Sequence, residues 1–117
     1  MSGLRTMRGM NNITSHSNPE HFPTVVVNAG RYLFDLGQGM ATPSALLALG
    51  TSGISELLSR HVNGDWGDLP LEDHLANMNA LFWGDRLLSR YNTTIGDFYV
   101  ITEADRSYTT VMHVSEY

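Results

Sequence analysis

Side chains able to carry chemistry gather in two places along the chain. The denser is His61-Val62-Asn63-Gly64-Asp65-Trp66-Gly67-Asp68, with Asp73 and His74 close behind. His61, Asp65 and Asp68 are proton carriers or metal ligands by type, the two glycines free the backbone, and Trp66 offers a flat apolar surface. The spacing His-x3-Asp-x2-Asp fits no metal site with a mechanical rationale, so no metal is expected. The architectural reading makes Trp66 a core plug, Asp65 a turn former and Asp68 the cap of the next helix, with His61 packed one turn beyond Leu57.

The second cluster is Thr102-Glu103-Ala104-Asp105-Arg106-Ser107, at a turn between two expected strands. Arg106 beside two carboxylates most simply pins that turn as an ion pair. A Glu with a neighbouring Arg on a sheet edge is also what phosphodiester cleavage needs, a base and a charge clamp. His61, Glu103 and Arg106 are therefore the catalytic candidates, provided a helix end meets a strand end. Asp65, Trp66, Asp68 and Asp105 are the binding candidates. Asn77 and Asn79 read as solvent-facing positions on a helix. Gly37-Gln38-Gly39 lacks the Lys and helix spacing of a phosphate loop, and no Ser sits in a nucleophile elbow. No cofactor is expected, and these patterns leave open whether the protein is an enzyme.

The elements that must position these residues can be read in order. Residues 1–22, rich in Ser, Asn, Gly and Met, read as a flexible leader. Residues 23–117 read as one domain. Thr24-Val25-Val26-Val27-Asn28 is expected to be a strand and Arg31–Leu36 a second, closed by Gly37. Thr42-Pro43 starts a short helix ending before Gly50, and Ser52 starts another that runs to Val62 with Ile54, Leu57, Leu58 and Val62 on one face. A third helix spans about Pro70 to Trp83, where Leu71, Leu75, Met78 and Phe82 form a stripe at helical spacing. Arg86–Asn92, Phe98–Thr102 and Ser107–Val114 read as three strands with short turns, an antiparallel meander. The expected class is α+β, two or three helices packed on one face of that meander.

Composition narrows the function classes. The chain has 117 residues, no cysteine and a formal charge of −5. Thiol catalysis, disulfides and cysteine-ligated zinc are excluded together, and a reducing, cytoplasmic compartment fits. All seven basic residues are Arg. The acidic balance disfavours nucleic acid as a partner and suits a basic protein surface. No apolar run approaches the roughly 18 residues of a membrane span.

From Ala41 onward the chain resembles a family of small bacterial proteins found on plasmids and other mobile elements. The matching pieces are Ala41-Thr42-Pro43-Ser44-Ala45-Leu46, Arg60-His61-Val62, Gly64-Asp65-Trp66-Gly67-Asp68-Leu69 and Asn79. Arg86-Leu87-Leu88-Ser89, Tyr91, the run Val100 to Ser107 and the ending Ser115-Glu116-Tyr117 match as well. Some members carry a label tying them to the M subunit of a type I restriction endonuclease, although 117 residues are too few for a methyltransferase with its cofactor site. The resemblance implies a mobile-element setting and no particular chemistry.

The expected function is thus an accessory protein acting by macromolecular binding on a protein partner, such as a host defence or nucleic-acid-processing enzyme. The alternatives are a small toxin-like ribonuclease using His61, Glu103 and Arg106, and a structural domain that forms a homodimer through an exposed strand.

Overall fold

A strand pairs at its edge with whatever backbone lies beside it, and a helix is fixed by what its faces meet. In this protein the two rules meet along one sheet edge. The computed structural model describes residues 32–117, together with the backbone pairing of Glu20–His21. The strand expected over residues 24–28 lies outside the described residues.

In chain order the elements are β1 (Glu20–His21), β2 (Gln38–Ala41), α1 (Pro43–Val62), α2 (Leu71–Trp83), β3 (Leu87–Thr93), β4 (Gly96–Thr102) and β5 (Tyr108–His113). The fold is α+β. The sheet order is β1-β2-β5-β4-β3. Strands β3, β4 and β5 form the antiparallel meander, with Ser89 opposite Val100 and Val100 opposite Val111. Strand β2 adds to β5 in parallel, Ala41 opposite Val111, so the sheet is mixed and wider than the meander alone. β1, inside the segment read as a leader, pairs with the far side of β2.

Two expectations need correcting. Residues 32–36 form bends and irregular chain outside the sheet, and the strand begins two residues later at Gln38. The apolar side chains of this stretch are used differently: Leu36 enters the core, and Tyr32 and Phe34 pack against it. Gly37, at φ +66°, ends that segment before pairing starts. The second correction concerns α2, whose apolar stripe does not face the sheet.

Helix α1 does what its residues suggest. The Thr42 hydroxyl accepts the Ala45 N–H at 3.2 Å, and Pro43 takes the first turn. Gly50, at φ 70° and ψ 172°, breaks the helix into the two halves expected, a conformation that glycine adopts without steric strain. Beyond it Ile54, Leu57, Leu58 and Val62 are buried against Phe98, Val100 and Val111 of the sheet. At roughly 25 cal/mol per Å² of apolar surface, burial of this row anchors α1 on the sheet. β4 is buried on both faces, with Phe98, Val100, Ile101 and Thr102 all inside, as befits a central strand.

Candidate functional site

The sequence 65–68 crosses the outer edge of β3 as a strap. Arg90 donates its N–H to the Trp66 carbonyl at 3.1 Å, and the Arg90 carbonyl accepts the Asp68 N–H at 2.7 Å. Asp68 Oδ2 accepts the Asn92 N–H at 2.9 Å. Gly67 pairs with Arg90 so closely that a Cβ there would meet the Arg90 carbonyl oxygen, and its φ is +79°. Only glycine fits. Asp65 turns the strap by accepting the Gly67 N–H at 3.1 Å, while the hydrogen bond from Arg60 holds its carboxyl below the usual range. The Arg60 guanidinium lies 4.4 Å from the centre of the Tyr91 ring, whose hydroxyl donates to the Asp65 carbonyl. The strap therefore serves β3 as a substitute strand. Asp68 caps strand β3, and the start of α2 is Pro70, with no side-chain cap.

One more residue completes this edge. The Asn77 side chain donates to the Leu88 carbonyl at 2.7 Å and accepts the Leu88 N–H at 3.1 Å, the two bonds a neighbouring strand would make. Asn77 is buried, which corrects the expectation that it faces solvent. Only its place in a helix, where Asn forms mediocre structure, hinted at a role.

His61 sits at the centre of the interior, fully buried between the edges of Phe34, at 5.2 Å, and Trp66, at 5.7 Å. Its ring nitrogens meet Ser89 Oγ at 2.6 Å and Thr102 Oγ1 at 2.9 Å. Thr102 in turn meets Thr109 at 2.7 Å, and Thr109 donates to the Leu36 carbonyl at 2.7 Å. That last carbonyl can only accept, so the chain of hydroxyls has one direction. Thr109 accepts from Thr102, Thr102 accepts from His61 Nε2–H, and Nδ1 accepts from Ser89. Burial, reinforced by the charge of Arg106, pushes the imidazole pKa down to about 3. The ring is neutral, satisfied on both nitrogens and sealed from solvent.

The turn 103–107 is built around Arg106. It has φ +61°, the one non-glycine residue with positive φ among the described residues. Its guanidinium donates to the carbonyls of Asp85, Glu103 and Ala104 at 2.7, 3.1 and 3.1 Å, and to Ala80, near the end of α2, at 3.2 Å. Arg106 thus clamps the helix terminus to the turn, with its charge near helical carbonyls that favour it. Glu103 lies 3.6 Å from Arg86, and the exposed Asp105 accepts the Ser107 N–H at 2.9 Å. Hydrogen bonds from Ser107 hold the Asp105 carboxyl below its usual range.

The predicted residues do not converge on one solvent-open site: His61 touches both the Trp66 ring and Thr102, but from the buried interior between the strap and the turn. Asp65, Trp66 and Asp68 share the strap, with the Trp66 ring inside. Glu103, Asp105 and Arg106 share the turn, and His61 lies in the core. A shallow depression at the turn is lined by Glu103, Ala104, Asp105, Ser107 and Tyr108, without His61 or Arg106. A second lies beside α2, lined by Asp73, Asn77, Asp85, Arg86 and Leu88 among others. Among the described residues no group of three His, Asp or Glu side chains converges to hold a metal, and no helix is long and apolar enough to cross a membrane.

The outer face of α2 is where the molecule departs most from an ordinary domain. Leu71, Leu75, Met78, Phe82 and Trp83 are 73, 56, 52, 78 and 72% exposed, while Asn77 and Ala80 are the buried side chains of the helix. The helix is amphipathic and turned inside out. Polar side chains hold it, with Asn77 on β3 and Arg106 on its last turn, helped by Leu69 and Leu81 packed near Trp66.

Fold and surface together define an α+β domain with a braced sheet edge and an outward apolar helix. No family model, curated protein or solved structure matches the chain.

Proposed function

We propose that this chain is a small cytoplasmic accessory protein of a bacterial mobile element that acts by macromolecular binding, and that the outer face of α2 is its association surface. The observation that carries the reading is the exposed row Leu71, Leu75, Met78 and Phe82, extended by Trp83. Scattered apolar residues on a surface need no explanation, but a contiguous patch on one helix marks an interaction site. The polar clusters support the same reading from the other side. Asp65, Asp68 and Arg106 have bracing tasks, and His61, the natural proton carrier, is buried with no access to a substrate.

The mobile-element setting comes from the resemblance of residues 41–117, and a host defence or nucleic-acid-processing enzyme is the class of target it suggests. The test compares the full chain with a Met78→Glu variant as immobilised bait in bacterial lysate, with circular dichroism confirming that both are folded. A macromolecule retained in stoichiometric amount by the wild type and lost by the variant is the expected result. Equal retention by both would place binding elsewhere and end this reading.

A further inference from the structure

The apolar row on α2 has an internal symmetry that points to its occupant. Leu71, Leu75, Met78 and Phe82 are spaced four, three and four residues apart, the spacing of a helix–helix seam. That spacing is symmetric about the point between Ala76 and Asn77. A two-fold axis crossing the helix there sets Leu71 against Phe82 of a second copy and Leu75 against its Met78, each large side chain meeting a smaller or more flexible one. From these placements we infer that the outer face of α2 is filled by α2 of a second copy of this chain, packed antiparallel. The inference rests on the reading of this face as the association surface and makes a second copy its occupant, so a host macromolecule captured by the wild type and lost in Met78→Glu would be one that binds the dimer.

Charge and area agree with this arrangement. In the antiparallel pairing the flanking positions bring Glu72 toward Asn79 and His74 toward Leu81, so no carboxylate faces another. The helix dipoles also run in opposite directions, with the acidic first turn of each, Glu72 and Asp73, beside the last turn of the other. The two exposed aromatic rings offer on the order of 300 Å² and the three aliphatic chains about as much again, a total of roughly 600 Å² per copy that falls short of the ~800 Å² of a standard interface. The dimer is therefore expected to be weak and concentration-dependent. Because each copy carries a formal −5, association should tighten as salt screens the repulsion.

Light scattering on the full chain across a concentration series tests the inference, with the mass expected to rise from 13.0 kDa toward twice that value. Met78→Glu, at an exposed position, should keep the folded spectrum and weaken dimerisation at least about 30-fold. Orientation is read separately, because the chain has no cysteine. Leu71→Cys mixed with Phe82→Cys should form an oxidised cross-link that neither variant forms alone, since like positions lie roughly 16 Å apart along the axis of an antiparallel pair. Self-cross-linking of Leu71→Cys would instead show a parallel pair and overturn the arrangement. A dimer unaffected by Met78→Glu would overturn the inference too, since its interface would lie elsewhere. A chain that stays monomeric at about 200 µM would also overturn it. The reading of α2 as the association surface would then stand only if Met78→Glu still abolished capture in the lysate experiment.

Discussion

The two helices carry the same kind of pattern and put it to opposite uses. Both α1 and α2 have an apolar row at helical spacing, and both end at a glycine-containing break. In α1 the row Ile54, Leu57, Leu58 and Val62 is buried against the sheet. In α2 the row Leu71, Leu75, Met78 and Phe82 looks outward, and Asn77 and Ala80 face the body. The comparison teaches that amphipathicity defines a face without saying what covers it. α1 is held by apolar burial, which is non-directional and strong. α2 is held by a small apolar contact of Ala80 and Leu81 with the Trp66 cluster and by directed hydrogen bonds to backbone groups of β3 and of its own last turn. Those bonds fix its orientation and leave its apolar face available.

The largest expected effect sharpens this contrast. Leu58→Ala should destabilise the domain by about 2–5 kcal/mol, because a fully buried leucine leaves a cavity among packed neighbours. Urea unfolding followed by far-UV circular dichroism would measure it. A loss below about 1 kcal/mol would mean that α1 does not anchor the core as described.

Next comes the residue that α1 lends to the interior. His61 is neutral in the fold with a pKa near 3, against 6.5 for an unfolded imidazole. Between those values the unfolded chain binds a proton that the native state does not, so stability is full above about pH 6.5 and falls as pH drops toward 3. The slope is about 1.4 kcal/mol per pH unit, or about 2–3 kcal/mol lost by pH 4.5. The carboxyls of Asp65 and Asp105, held below their usual range, add a loss in the same direction at lower pH. The difference between wild type and His61→Gln isolates the imidazole. Parallel pH curves for the two proteins would refute the burial described for His61.

Much of this was legible in the residues and some was not, for reasons that differ by element. Thr42-Pro43 announced a helix start because capping is local chemistry, the apolar run of β4 marked a central strand buried on both faces, and the alternation in β5 marked a strand because pleating has a period of two. The strap was visible as a cluster of Gly, Asp and Trp, but its task was not. Only the topology shows that β3 is an edge strand and that Asp68 and Asn77 lie beside it. β2 was hidden because four residues, two of them Gln38 and Gly39, carry little strand signal. The orientation of α2 was hidden for a deeper reason: a stripe of Leu, Leu, Met and Phe defines an apolar face without saying whether that face turns toward the sheet of its own chain or away from it.

A middle-sized effect probes the polar side of the comparison. Asn77→Ala should cost about 1–3 kcal/mol, since both backbone groups of Leu88 lose their partner. Asn77→Asp keeps an acceptor for the Leu88 N–H and sets a carboxylate against its carbonyl, so it should do no better. Hydrogen exchange at the Leu88 amide gives the local readout. Unchanged protection in Asn77→Ala would show that the edge is covered by something other than the side-chain amide.

Arg106 offers a finer cut. Arg106→Ala loses the clamp and keeps a backbone at positive φ that L-residues resist, whereas Arg106→Gly loses the clamp and relieves the strain. Gly should therefore exceed Ala in stability by roughly 1 kcal/mol, with both frayed at the end of α2. Equal stabilities would mean that the turn readjusts when the guanidinium is gone.

The smallest expected effect breaks or secures the comparison itself. Leu75→Gln on α2 keeps a good helix former and replaces an exposed apolar side chain with a polar one. If the outer face is open in the single chain, unfolding of the dilute protein should move by no more than about 0.5 kcal/mol, the scale of ordinary surface substitutions. The same substitution placed at Leu58 on α1 would bury an amide without a partner and should prevent folding. Dilution matters, because at high concentration association would couple to unfolding and exaggerate the loss. A cost above about 1.5 kcal/mol at Leu75 in the dilute monomer would mean that the chain covers this helix by itself. The two helices would then be alike, and the case for an association surface on α2 would fall.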